Sequence, residues 1–170
     1  MELTKLNDIA PEAFVAQLGG VFEHSPWVAE RDCAKRPFVD LVALHTAMME
    51  GVRTASRAEQ LALIRAHPEL AGREAVEGSL TVDSSGEQGR LGFTALSREE
   101  FQRVQTINRL HREKFGFPCI VALLLHANRQ SVLDEMQRSL DNDEATEIER
   151  SLVQIAAITK GRLQKMLGAL

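Results

Sequence analysis

The chain has 170 residues, a length that suits one domain with its own core and is short for two. Its 20 Lys and Arg against 24 Asp and Glu give a formal net charge of −4, and the positive residues are scattered along the chain. Nucleic-acid binding needs a concentrated basic face, so we expect none. The longest apolar run, residues 120–125, is far below the roughly 18 to 20 residues that a membrane span needs. We predict one domain over residues 1–170.

The cysteines and the first residues favour a cytoplasmic location. Cys33 and Cys119 lie far apart, with no CxxC or Cys/His ligand spacing. Free thiols packed as small hydrophobic groups are typical of a reducing compartment. The first residues carry acids among apolar side chains, and they lack the basic and apolar regions of a secretory signal.

Apolar residues recur at three- and four-residue spacing through most of the chain, which predicts an all-α fold. We expect a single compact domain of about eight helices, packed as an irregular bundle. In chain order, the predicted helices run from 11 to the glycines at 19 and 20, from 26 towards 36, and over 39–55, 56–66, 84–91, 98–115, 129–140 and 144–167.

Capping patterns fix several of these helix starts. Ser56–Glu59 and Ser97–Glu100 have the spacing of a capping box, in which the two side chains bond each other's backbone N–H groups. Ser25 is expected to cap the second helix. Ser84 or Ser85 is expected to cap the short helix predicted over 84–91.

Breaks between the helices are predicted at proline and glycine. Pro68 ends a helix at about residue 66 or 67, and Gly116 ends the long one. Residues 71–83 are expected to form a loop. Residues 119–125 are apolar throughout, which fits either a buried extended segment or the first turns of a buried helix.

Polar side chains gather at the first of these breaks. His67 is forced out of helical geometry by Pro68, so its ring should project from a helix C-terminus as a proton donor or as a simple cap. Glu87 is expected near a helix N-terminus, where the dipole favours its ionised form, with Ser84 at capping-box distance. Gln88 adds a carboxamide suited to an amide- or urea-like ligand.

Arg162 lies on an apolar stripe of the last helix, together with Ile155, Ile158 and Met166. A guanidinium there needs an anion. The partner is either an acid of the protein, which is the commoner case, or a ligand carboxylate.

Residues 115–118 form a second break, in which Gly116 permits a left-handed turn and Pro118 holds an extended chain. Backbone N–H groups beyond Pro118 either face a ligand or belong to a buried segment. Asn108 on the preceding helix is expected to support this turn or to face solvent.

Motifs for metals and cofactors are missing from the sequence. His24, His45, His111 and His126 have no paired-ligand spacing, and we expect structural or surface roles for them. There is no GxGxxG, P-loop or GxSxG pattern either. We predict no metal and no cofactor.

These residues together resemble the 2-oxo-4-hydroxy-4-carboxy-5-ureidoimidazoline (OHCU) decarboxylases of the urate-to-allantoin route. The resemblance covers nearly the whole chain, in family order. It is carried by Leu18–Trp27, by Ile64–Gly72 with its His67-Pro68-Glu69-Leu70, by Ser84-x-x-Glu87-Gln88, and by Asn108 through Lys114-Phe115-Gly116-Phe117-Pro118.

The resemblance implies an all-helical, cofactor-free carboxy-lyase, commonly a homodimer, that converts the small molecule OHCU to S-allantoin and carbon dioxide. It marks His67 and Glu87 as the catalytic pair. It also implies substrate contacts from Pro68, Ser84, Gln88 and Arg162, and a pocket wall formed by the backbone at Cys119, Ile120 and Val121.

Two positions depart from the family pattern: Cys119 stands where Phe is usual, and His111 where Tyr is common. The Cys119 difference affects the shape of the predicted pocket wall. The alternatives are a related helical enzyme for another ureido-ring acid, and a helical binding or dimerisation module without catalysis. The presence of both His67 and Glu87 argues against the second.

Overall fold

The computed structural model describes residues 2–168 and is all-helical over that range. The ten α-helices are α1 Leu3–Asp8, α2 Pro11–Leu18, α3 Trp27–Asp32, α4 Leu41–Arg53, α5 Arg57–Arg65, α6 Arg73–Glu77, α7 Val82–Arg90, α8 Arg98–Phe115, α9 Arg129–Ser139 and α10 Glu144–Leu167. Two 3₁₀ segments, Cys33–Lys35 and Leu123–Leu125, complete the list. No helix between residues 2 and 168 is both long and apolar enough to cross a membrane.

Contacts divide the chain into two compact units. The first unit contains residues 1–66 and 159–170, and the second contains residues 67–158. The prediction of an all-α fold is confirmed. All eight predicted helices are present, and the two further ones, α1 and α6, are only six and five residues long. Helices that short give too few apolar positions to show a period in the sequence.

The first unit is built on α2, α3 and α4, with α3 packed against the other two. Its buried apolar side chains include Phe14, Phe22, Leu44 and Met48. Asn7 joins α1 to the chain before α4, because its amide both donates to Phe38 O and accepts from Phe38 N, each at 2.9 Å.

The second unit has its own apolar core. Side chains from α8, α9, the segment between them and the turns before α6 and α8 meet there. Helix α8 packs against α9, and α7 packs against the second 3₁₀ segment. The members are Leu70, Ala71, Phe93, Val104, Ile107, Cys119, Leu123, Val132, Leu133 and Met136.

The two capping boxes are confirmed: Ser56 and Ser97 each accept from the third helical residue, and Glu59 and Glu100 bond back to the cap. Gly116 ends α8 with φ 74°, as predicted for a left-handed C-cap.

Three local expectations were wrong. The 71–83 loop contains α6, which Gly78 closes at φ 71°. Helix α7 begins earlier than predicted, and its cap is Thr81, whose hydroxyl accepts from Ser84 N. Pro26 rather than Ser25 precedes α3, because the Ser25 hydroxyl donates to Glu23 O at 3.0 Å instead.

Candidate functional site

His67 starts a tight turn, residues 67–72, which we call the His67 turn. Helix α5 ends at Arg65 with Ala66 as its C-cap, so Pro68 stops the helix where the sequence predicted. The His67 side chain is only 6% exposed. The ring is therefore largely shielded from solvent.

The backbone of the His67 turn is unusually constrained at its far end. Gly72 N donates to Glu69 O at 3.0 Å, and Ala71 has a left-handed φ of 47°. A Cβ at Gly72 would lie 2.6 Å from Glu69 Cβ, which is too close for any residue but glycine. The fold thus fixes the chain that leaves His67.

Helix α7 is hydrogen-bonded to the His67 turn through Gln88. Its Oε1 accepts from Ala71 N at 2.9 Å, and its Nε2 donates to Glu69 O at 3.5 Å. The structure therefore brings the His67 turn to the helix that carries Ser84 and Glu87, which are the other polar residues singled out in the sequence.

Along α7, Ser84 and Gln88 are four residues apart and both are buried, at 4% and 5% exposure, so they share the inner face. Glu87 is half-buried beside them. It is the sixth residue of α7, which starts at Val82, so the expectation that it lies at a helix N-terminus was wrong. The helix dipole acts mainly on the first turn, and Asp83 holds that place.

Helix α8 supplies two further carboxamides that sequence reasoning missed in this role. Asn108 Nδ2 donates to Leu70 O at 2.9 Å, and Gln105 Nε2 donates to Ala71 O at 2.7 Å. Asn108 is 1% exposed, so it neither faces solvent nor supports the turn at 115–118 as expected. Spacing i, i+3 was the available clue, since it places both amides on one face of α8.

Residues 117–122 form an irregular segment, which resolves the ambiguity left by their apolar sequence. Cys119 and Ile120 are buried and Val121 is half-buried. Gln154 Oε1 accepts from Ala122 N at 2.8 Å, which holds the segment to α10. Arg90 at the end of α7 donates to the carbonyls of residues 123 and 126. The chain just beyond the predicted pocket wall is thus tied to the helix of Glu87.

A buried charge cluster also holds this wall. His111 Nδ1 lies 3.0 Å from Phe117 O, and His111 Nε2 lies 2.8 Å from Glu147 Oε1. The ring is therefore held at both of its nitrogens. Glu147 also accepts from Arg150 and from Asn142. His111 therefore has the structural role expected of it.

The same cluster contains three side chains of the types that bind metal ions. His111, Cys119 and Glu147 place ligand atoms within 4.8 Å of one another, and all three are buried. However, the Arg150 guanidinium donates to Glu147 and lies 3.6 Å from Cys119 Sγ, so a cation already fills the space. Burial raises the pKa of Cys119 to about 11, which disfavours the thiolate that a metal would need. The residues do not fit a metal.

Arg162 belongs to the first unit and has a protein partner. Its Nη1 donates to Glu23 Oε2 at 2.7 Å and to Val21 O at 3.3 Å. Arg162 and Glu23 are 5% and 2% exposed, so the pair is buried. The sequence allowed either an acid of the protein or a ligand carboxylate as its partner, and the structure shows the protein acid.

The chain is similar to known proteins over nearly its whole length. The pattern of the family described as OHCU decarboxylase matches residues 7–164. The 2-oxo-4-hydroxy-4-carboxy-5-ureidoimidazoline decarboxylase of Haloferax volcanii is 37% identical over 163 residues, which is 96% of this chain and 94% of that protein. The mouse protein of the same name is 33% identical over 169 residues, or 99% and 94%.

Solved structures agree on the fold. A crystal structure of an OHCU decarboxylase in the presence of (S)-allantoin superposes with a TM-score of 0.68 and 19% identity, covering 94% of this chain and 99% of that one. These matches assign the chain to a class of helical carboxy-lyases. The chain belongs to the OHCU decarboxylase family.

The buried cluster predicts how stability depends on pH. Burial opposes the charged form of Glu147, but hydrogen bonds from His111 and Arg150 outweigh it and lower its pKa from 4.5 to about 2. This stabilisation is full above pH 4.5 and is lost as the pH falls towards 2. Glu147→Gln should lower the free energy of unfolding near neutral pH by about 3 kcal/mol or more, because Arg150 and the buried His111 ring lose the carboxylate that they share.

Urea unfolding followed by far-ultraviolet circular dichroism measures this effect. The difference in the free energy of unfolding between wild type and Glu147→Gln should narrow as the pH falls from 4.5 to 2. Glu113→Gln is the control: that carboxylate is in an exposed pair with Arg109, so its loss should change stability by less than about 0.5 kcal/mol. A difference in unfolding free energy that stays constant with pH would contradict the lowered pKa of Glu147.

Proposed function

We propose that this chain catalyses the cofactor-independent decarboxylation of OHCU to S-allantoin in urate degradation. Membership of the family and relatives with this name over nearly their full length support the proposal. The observation that carries it for this chain is the Gln88 hydrogen bond, which joins the His67 turn to the helix of Glu87.

His67 and Glu87 form the proposed catalytic pair. Both belong to the second unit, and the ring of His67 is shielded from water while Glu87 is half-buried. Exclusion of bulk water limits proton exchange between the ring and solvent, and a carboxylate beside the ring can orient it or exchange a proton with it. General acid-base catalysis of this kind contributes about 10² to 10⁴ in rate.

The substrate contacts proposed are Pro68, Ser84, Gln88 and Arg162, with the backbone at Cys119, Ile120 and Val121. Ser84 and Gln88 are supported by their shared buried face on α7. For the wall residues, the support is that Cys119 directs its thiol towards Ser139 Oγ, 3.4 Å away, which leaves the backbone as the contact surface. A Cys in place of Phe is compatible with a backbone contact.

The proposed chemistry needs no external electron sink. The carboxylate on C4 leaves as carbon dioxide, and its bonding pair forms a C4=C5 double bond while the C5=N π pair moves to the ring nitrogen, which takes up a proton. The resulting enol at C4 loses its hydroxyl proton as C5 gains one on a single face, which sets the S configuration. His67 is the group that manages these protons, and orientation supplies much of the remaining rate.

We also propose that the protein is a cytoplasmic homodimer, as the family resemblance implies. Both cysteines are free thiols, which suits a reducing compartment. Light scattering should then return twice the mass of one chain.

The activity is tested by generating OHCU from urate with the two upstream activities and following its decay together with the optical activity of the product. Wild type should speed the decay and yield excess S-allantoin. His67→Asn and Glu87→Ala should keep their helical circular dichroism but lose about 10²-fold or more in rate.

His24→Asn is the matched control, because His24 is exposed and has a left-handed φ of 48° that Asn tolerates. It should keep wild-type activity. Near-normal turnover in His67→Asn would overturn the catalytic assignment, and a wild type that neither speeds the decay nor biases the enantiomer would overturn the function.

A double substitution separates the two roles of Arg162. Arg162→Gln alone removes the guanidinium from a buried ion pair, so it should destabilise the protein by about 3 kcal/mol or more and confound any kinetic effect. Adding Glu23→Gln removes that penalty. If Arg162 binds substrate, the double variant should regain stability while KM stays raised about 10-fold or more, since a charged hydrogen bond is lost.

Steady-state kinetics and urea unfolding on the three variants read out both effects. Glu23→Gln alone serves as the control for the loss of the pair. A wild-type KM in the double variant would assign Arg162 a purely structural role.

A further inference from the structure

Three carbonyls in a row within the His67 turn each accept a hydrogen bond from a side-chain carboxamide. Residues 69, 70 and 71 are consecutive, and their donors are Gln88, Asn108 and Gln105 at 3.5, 2.9 and 2.7 Å. A turn usually leaves such carbonyls to water. Here the turn is buried at Leu70 and Ala71, so the protein must provide the donors itself.

Asn108 is the most constrained of the three donors. It is 1% exposed, and within residues 2–168 its Oδ1 has no hydrogen-bond partner. A buried acceptor left in this state costs free energy, whereas an apolar side chain of the same shape would avoid that cost. The residue thus gives up stability at one atom while using the other to hold Leu70 O.

The position of Leu70 O determines where His67 lies. Pro68 fixes its own φ and restricts His67 to extended backbone, so little freedom remains between the ring and the turn. The turn itself packs by Leu70 and Ala71 against Val104 and Ile107 of the same helix that carries Asn108. A shift of the turn along α8 therefore moves the imidazole with it.

We propose that Asn108, assisted by Gln105, is a positioning residue for His67: α8 holds the His67 turn by its carbonyls and so aims the imidazole at the substrate. This inference rests on the proposed function for its kinetic consequence. Misplacement of a reacting group by about 1 Å costs on the order of 10²-fold in rate. The loss should fall on kcat, because Asn108 is not placed in the binding contacts.

Three variants test the proposal. Asn108→Leu keeps the shape and removes the donor, and should lower kcat about 10²-fold with KM within about threefold of wild type. Asn108→Asp should be similarly slow when ionised, but its protonated carboxyl can donate to Leu70 O. Burial raises the pKa of such a carboxyl, so the kcat ratio of Asn108→Asp to wild type should rise as the pH is lowered. Gln105→Ala, at a less buried position, should show a smaller kcat loss.

Gln60→Leu is the matched control. Gln60 is also a buried carboxamide whose Nε2 holds backbone carbonyls, those of Val52 and Arg53 at 3.1 Å, but they close the end of α4 in the first unit. It should lose stability like Asn108→Leu and keep its kcat. Equal kcat in Asn108→Leu and Gln60→Leu, or a pH-independent ratio for Asn108→Asp, would overturn the proposal.

A readout that does not use activity separates this inference from the function. The imidazole ¹H–¹³C resonance of His67, assigned with His67→Asn, should shift or broaden in Asn108→Leu and stay in place in Gln60→Leu. If wild type fails to decarboxylate OHCU while the resonance responds, the proposed function fails and the positioning stands. An unchanged resonance in Asn108→Leu would remove the positioning role whatever the activity.

Discussion

A buried backbone carbonyl must be given a hydrogen-bond donor, and in the second unit this requirement decides the geometry around His67. The turn that follows the histidine is drawn into the apolar core by Leu70 and Ala71, away from water. Carboxamides from α7 and α8 then supply the donors that water would have given. Because these bonds join two helices to the same turn, the turn, α7 and α8 are fixed relative to one another.

The buried charges of the second unit follow the same logic one turn further along α8. His111 and Arg150 both donate to Glu147, and His111 also holds Phe117 O at the start of the irregular segment 117–122. A charge cluster of this kind is costly to desolvate and is stable only when every member is paired. The cluster therefore serves as a rigid support for a backbone segment, and the arginine leaves no room for a metal ion.

Much of the helical frame could be predicted because local rules decide it. Capping boxes, Pro68 and Gly116 act within a few residues of themselves, so the boundaries of α5 and α8 followed from the sequence. The errors came where two local signals compete. Thr81 and Ser84 are both good caps, and the helix starts at the earlier one. Because α7 begins about one turn earlier than predicted, Glu87 does not lie at the helix N-terminus, where the dipole argument had placed it.

The sequence by itself determined the helical class, most helix ends and, through its resemblance to a family, the residues to examine: His67, Glu87 and the polar side chains around them. Tertiary structure decided what those residues bond to. Gln88 binds the His67 turn, Asn108 turns inward to Leu70 O, and Arg162 meets Glu23 from the far end of the chain. Partners separated by 17 to 139 residues leave no local pattern, because only the packing of the helices brings their atoms within hydrogen-bond distance.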